Sequence, residues 1–427
     1  MVSLISSNTG TGLALQPDAS GQLQFSTGYG GTQLTLANNV LTLGSTTNVT
    51  MGSNSVMTMG DGTQWATAQS LGGRNRIING AMQVSQRYGT NSYTPSAVGD
   101  PTAPNIVLDR YALYQTVASK FAFQQNAGSV TPAVGFSNYL GVTSLSAYSV
   151  AATDLWNLQQ SIEWNNVPDL AWGTVNAKTV TLSFWVYSSL TGLFGGSVTN
   201  YNTGRGFGYT YTITAANTWQ FVSVTIPGDV SGTWTYVANG GAIWCRWCLG
   251  AGSSSQGAYS SVWSASIAGG PTGQTNIAAV NGATWYLTGV QFELGIAATP
   301  FERKIYTQEL ANCQRYYQTF GSSDVPLSGY TDQVTITYVF PVQMRATPGL
   351  THPYTDGTYD SAGPAAGKWS FNRAYVTNIA KSAGTITSQT QIQNAWAQIY
   401  LYGMTLASVP TGINSNTQAN ITFSAEL

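Results

Sequence analysis

The sequence predicts an all-β protein: an N-terminal trimeric β shaft, an antiparallel jelly-roll β-sandwich, a short connector helix and a smaller C-terminal β domain. Three observations carry that prediction. Only 7% of the 427 residues are charged, against about 25% in an average globular protein, yet 12% are aromatic, which is incompatible with disorder. Apolar and polar residues alternate with period two through the middle of the chain, punctuated by Gly, Pro, Asn and Asp. Helical spacing occurs in one short stretch.

Residues 1–73 form the predicted shaft. Apolar-Thr-apolar triplets recur there as Leu34-Thr35-Leu36, Leu41-Thr42-Leu43, Val49-Thr50-Met51 and Met57-Thr58-Met59, with Asn, Gly and Ser between them. Each triplet is a minimal strand with two apolar side chains on one face. A single chain of such strands has almost no core, but three copies wound together bury a continuous seam, as repeat architectures do.

The sandwich is expected over 74–303. Its strands include Thr179–Tyr187, Gly208–Ile213, Trp219–Ile226, Ala242–Leu249 and Thr284–Leu294. On the first of these, alternation sends Leu182, Phe184 and Val186 to the core and Ser183, Trp185 and Tyr187 to the opposite face. Trp156, Trp164 and Trp172 recur at eight-residue spacing, as a sticky platform or, the expected role, as core. A connector helix is predicted over 304–321, with Tyr306, Leu310, Cys313 and Tyr317 as its apolar stripe and the charges on the other side. Residues 322–427 then form a second β domain, with strands at Val334–Pro341, Ala397–Tyr402 and Ala419–Leu427 and an exposed loop at Asp356–Lys368.

Composition narrows the function. Fifteen basic residues scattered along the chain cannot build the phosphate-contacting footprint of a nucleic-acid-binding protein. No apolar run approaches the roughly 18 residues of a membrane span, and the first residues lack the pattern of a signal peptide. Three cysteines are not a disulfide framework. Cys245 and Cys248 sit three apart on a strand and point to opposite faces, so they cannot share a metal. No metal or other cofactor is expected, and no acidic loop offers a calcium ligand set.

Catalysis finds little support. Glycoside hydrolysis needs two facing carboxylates, and Glu163 and Asp169 beside the aromatic Trp156–Trp172 segment are the nearest pair. A Ser-His-Asp site would depend on His352, the sole histidine, without a nucleophile elbow. Gly204–Gly208 precedes a strand, so it reads as a turn and not a phosphate cradle.

Several blocks resemble a family of tailed-bacteriophage fibre proteins. They are Asn75–Arg87, then Leu108-Asp109-Arg110-Tyr111, Thr288–Gly295, Ala298–Glu302, Glu309–Tyr317 and the closing Ile421–Leu427. The Leu182–Val186 and Trp219–Val224 strands also resemble those of the jelly-roll carbohydrate-binding modules found beside polysaccharide-degrading enzymes. The resemblance implies a virion-attached fibre, usually trimeric, with its N-terminal region toward the particle and its other virion proteins. Together with the weak case for catalysis and the wealth of aromatics, the expected function is that of a non-enzymatic homotrimeric tail fibre adhering to host surface polysaccharide. The alternatives are a capsid decoration fibre and, in the enzyme class, a polysaccharide depolymerase or esterase. Because sugar C–H faces lie against aromatic rings, the candidate carbohydrate-binding residues are Trp185, Tyr187, Tyr209 and Tyr211.

Overall fold

The computed structural model describes residues 56–58, 64–66, 73–99, 105–201, 204–234, 237–320, 327–329, 333–351, 357–358, 371–372, 385–393, 395–402, 412–413 and 421–426. Of the predicted shaft it describes one antiparallel pair, β1 (Val56–Thr58) and β2 (Gln64–Ala66), with Met57 opposite Trp65. The remaining triplets and the trimeric winding lie outside the described residues.

The sandwich begins with β3 (Ile106–Leu108), β4 (Tyr111–Gln115), β5 (Phe121–Gln125), β6 (Leu140–Ser144), β7 (Leu155–Glu163) and β8 (Val180–Ser188). It continues through β9 (Gly192–Asn200), β10 (Gly206–Ile213), β11 (Gln220–Ile226) and β12 (Gly241–Ala251). Short strands β13 (Gln256–Gly257), β14 (Trp263–Ser264) and β15 (Gly270–Pro271) precede β16 (Thr284–Leu294). One sheet has seven strands in the order β14-β10-β9-β12-β7-β4-β3, and the other five in the order β11-β8-β16-β6-β5. Both are antiparallel.

Alternation decides what each sheet buries. Leu182, Phe184 and Val186 of β8 are fully buried, as the sequence predicts, and face Tyr111, Leu113, Trp156, Leu158, Cys245 and Trp247 in one core. The edge-to-face contact of Phe184 with Trp247, at 5.9 Å between centroids, is the arrangement that aromatic quadrupoles favour. Trp156 and Trp172 join this core and Trp164 packs partly buried against it. Cys245 belongs to the core, whereas Cys248 lies on the outer side, where a Cβ added to Gly270 would come 2.7 Å from its sulfur. The two thiols point apart, and burial pushes that of Cys248 up to about 12.

The sandwich is closed at its base by polar stitching rather than by more strand. The Asn75 amide donates to the Val290 carbonyl, while its oxygen accepts from the backbone of Ile77 and Phe292. Asn79, in the left-handed region at φ 60°, bonds Val84 in both directions and also donates to the Asp109 carbonyl. Gly80 lies so close to β16 that a Cβ there would sit 2.2 Å from the Val290 oxygen. The Glu302 carboxylate accepts from the backbone of Gly73 and Asn75. Blocks more than 200 residues apart in sequence thus satisfy one another's buried backbone groups.

The helix is shorter than predicted, and its charges face differently. It is α1 (Tyr306–Gln314); Tyr317 opens a strand, β17 (Tyr317–Phe320). Tyr306, placed on the apolar stripe by the spacing, is exposed, while Glu309 is buried and accepts from the Asn79 backbone. Arg315 turns inward to grip both oxygens of Glu163.

After β17 come β18 (Leu327–Gly329), β19 (Gln333–Val339), β20 (Gly349–Thr351), β21 (Gly357–Thr358) and β22 (Phe371–Asn372). The last strands are β23 (Thr385–Ile392), β24 (Trp396–Tyr402), β25 (Gly412–Ile413) and β26 (Ile421–Ser424). The expected strands at 334–341, 397–402 and 419–427 correspond to β19, β24 and β26, and most of the expected 356–368 loop lies outside the described residues. β26 returns to pair with β17, and the Glu426 carboxylate is shared by Arg87 and Arg110 at the sandwich base. Those guanidiniums also stack on Tyr317 and Tyr316, at 3.6 and 3.4 Å.

Candidate functional site

The four residues singled out from the sequence divide between two environments. Trp185 and Tyr187 lie half-buried on the outer face of the five-stranded sheet, as predicted. Tyr209 and Tyr211 do not join them. β10 pairs with β9 in the other sheet, so its alternation is set by a different inner face, and both tyrosines point into the core beside Phe184. Their hydroxyls are satisfied there: that of Tyr209 donates to the Arg246 carbonyl at 2.8 Å, and that of Tyr211 accepts from the Trp285 indole at 3.3 Å. Thr210 and Thr212 take the outward positions. The four aromatics therefore do not pave one surface.

On the five-stranded face, Tyr187 belongs to a packed aromatic layer. It stacks on Tyr286 at 5.1 Å and 6°, Tyr286 stacks on Tyr139 at 5.0 Å, and Trp219 closes against Tyr187 and Tyr139. The Trp219 indole is pinned to the Thr131 carbonyl. Tyr139 and Tyr286 are buried, so this layer is largely self-covering.

Trp185 is different. It lines an open cavity of about 460 Å³ together with Phe136, Phe221, Phe301, Ser183, Thr299 and Arg303. Its ring lies 5.4 Å from that of Phe221, which is 46% exposed, and Phe136 and Phe301, both in the cavity lining, pack edge to face on each other at 5.0 Å. The Arg303 guanidinium sits 5.0 Å over Phe136 and 5.8 Å over Phe301. A bulge shapes the floor: β16 slips register against β8 between Thr288 and Gln291, and Gly289 occupies the gap at φ 62°. A Cβ there would come 2.6 Å from Phe136 and 3.0 Å from Trp185. Glycine both permits the left-handed turn and keeps the cavity open.

Sequence reasoning missed Phe136, Phe221, Phe301 and Arg303. The Trp219-x-Phe221 alternation on β11 was a usable signal for Phe221. Phe136 and Phe301 lie outside the strands and reach the cavity only through the fold. The carboxylates weighed for catalysis are each held by an arginine: Glu163 by Arg315, and Asp169 by Arg76 at 2.7 Å. His352 lies outside the described residues.

No family model matches the chain, and no curated protein matches it. Among solved structures it is similar to the enzymatically active domain of tailspike protein 4 of bacteriophage CBA120, at 13% identity and TM-score 0.28, over 52% of this chain and 21% of that one. The chain thus spans about a fifth of that tailspike domain's length. A family 4 carbohydrate-binding module is similar at 12% identity and TM-score 0.26, over 51% of this chain and 99% of the module. A family 11 carbohydrate-binding module of Clostridium thermocellum is similar at 15% identity and TM-score 0.25, over 48% and 99%.

Proposed function

We propose that this chain is a non-enzymatic adhesin of a tailed-phage particle, a homotrimeric tail fibre whose sandwich docks on host surface polysaccharide through the Trp185 cavity. The observation that supports it best is that cavity, in which Trp185 and Phe221 form adjoining apolar surfaces beside the polar groups of Ser183, Thr299 and Arg303. Ring faces receive the C–H side of a sugar while the polar groups pair with its hydroxyls. Such a contact is weak alone, and three copies on one fibre multiply it through effective concentration. The virion location and the N-terminal attachment rest on the resemblance of the Asn75–Arg87, Thr288–Glu302 and Ile421–Leu427 blocks to fibre proteins.

Labelling of host cells by the purified protein tests adhesion, and digestion of the same polysaccharide tests the enzymatic alternative. Binding without released oligosaccharide supports the reading, while release of oligosaccharide overturns its non-enzymatic part. Sedimentation at dilute concentration tests the trimer, which a stable monomer contradicts.

A further inference from the structure

Of the described residues that line the Trp185 cavity, Arg303 alone is charged; the others are aromatic, aliphatic or neutral polar groups. Arg303 is exposed, so a ligand in the cavity reaches it. The carboxylates nearest to it in the chain are engaged elsewhere. Glu302 accepts from the backbone N–H groups of Gly73 and Asn75 at 2.8 and 2.6 Å. Glu293 is buried and accepts from the Gln291 amide and the Thr299 backbone at 2.8 and 2.9 Å. No ion pair involves Arg303 among the described residues. A second guanidinium bonds the same wall, where Arg74 Nη2 donates to the Pro300 carbonyl at 3.1 Å. The cavity is therefore a concave, partly apolar surface of positive potential, the kind that gathers anions.

The cation is placed by its neighbours. Its guanidinium carbon lies 5.0 Å over Phe136 and 5.8 Å over Phe301, and those rings brace each other edge to face. Gly135 makes room for it. That residue is left-handed at φ 85°, and a Cβ there would come 2.9 Å from Arg303 Nη2. A guanidinium held against aromatic rings is stabilised by them and keeps its N–H fork for a planar acceptor. Phe136 also links the cation to the stacking surface. A Cβ added to Gly289 would meet Phe136 at 2.6 Å and Trp185 at 3.0 Å, so Trp185 and Arg303 flank one phenyl ring.

Resting on the reading of this cavity as the saccharide site, we propose that it selects an acidic sugar: a uronic acid whose ring lies on Trp185 and Phe221 and whose carboxylate pairs with Arg303. A uronate carries its carboxylate directly on the ring, so a sugar seated on Trp185 presents it one phenyl ring away, where the cation stands. Its single charge matches the single cation of the lining, and the two N–H groups of the fork meet its two oxygens.

The test uses the full-length protein and calorimetric titration with two probes. One is cellohexaose; the other is the β-1,4-linked hexamer of glucuronic acid, which differs only in bearing a carboxylate in place of each primary alcohol. Wild type is expected to bind the acid about tenfold or more tightly than the neutral hexamer, and added salt to weaken the acid alone. In Arg303→Gln the acid-to-neutral ratio is expected to fall toward one, and in Arg303→Lys to be partly kept. The ratio is read within each protein and so does not depend on the fraction folded. No binding of the acid to wild type, equal affinity for the two hexamers, or an unchanged ratio in Arg303→Gln overturns the proposal. The underlying reading fails differently. Equal binding of both hexamers, each weakened in Trp185→Ala, removes the acid preference and leaves the cavity as the saccharide site, whereas acid bound by a folded Trp185→Ala protein as tightly as by wild type overturns both.

Discussion

At the base of the sandwich, Arg87 and Arg110 converge on Glu426, Arg315 holds both oxygens of Glu163, and Asn75, Asn79 and Glu302 answer backbone groups one by one. Around Trp185 the pattern inverts. Phe221 is left half in water, and the Arg303 guanidinium lies over the rings of Phe136 and Phe301, with no ion pair among the described residues. The contrast separates architecture from recognition by physical criteria. Where polar groups are saturated by the chain itself, substitution acts on folding. Where apolar rings stay open to solvent around a cation, substitution is expected, on the proposed function, to act on binding and not on folding.

That contrast can be broken at its strongest point first. Glu426→Ala leaves two buried guanidiniums without their shared partner, and a loss of about 3–5 kcal/mol is expected in denaturant unfolding. A loss below about 1 kcal/mol would show that the chain end is not part of the base. Gly80→Ala forces a methyl into the Val290 carbonyl, and overpacking of that kind costs about 1–3 kcal/mol, measurable as a lower midpoint in the same titration.

A smaller effect sharpens the comparison through pH. Burial raises the Asp229 carboxyl, but hydrogen bonds from Arg205 and Trp234 outweigh it and leave it below its ordinary value. A carboxylate lowered on folding stabilises above its unfolded pKa of about 3.9, and that contribution disappears as pH falls through the folded value. The stability gap between wild type and Asp229→Asn should therefore be full at neutral pH and close progressively below about pH 4. A gap that widens with acidification would contradict the assignment.

The sequence made the inner face of β8 legible because its alternation is unbroken, and it placed Trp185 and Tyr187 outward for the same reason. Tyr209 and Tyr211 alternate just as cleanly, but alternation does not say which of two sheets a strand joins, and only pairing with β9 settles that their rings turn inward. The helix was overextended because Tyr317 keeps helical spacing, whereas its conformation is decided by β26, about a hundred residues away. Glu309 and Arg315 looked like a solvated face because a lone sequence does not reveal the backbone amide or the carboxylate that waits for each. The cavity itself depends on a bulge at Gly289 and on Phe136 and Phe301 outside the strands, none of which leaves a periodic trace.

The central claim is that the Trp185 cavity, and not the packed aromatic core, recognises host polysaccharide. Its most direct test is to titrate purified host surface polysaccharide into wild type, Trp185→Ala and Tyr211→Phe. Removing the exposed ring is expected to weaken binding by about tenfold or more with little change in unfolding midpoint, while trimming the core hydroxyl leaves binding unchanged. Wild-type affinity in a folded Trp185→Ala protein would contradict the account.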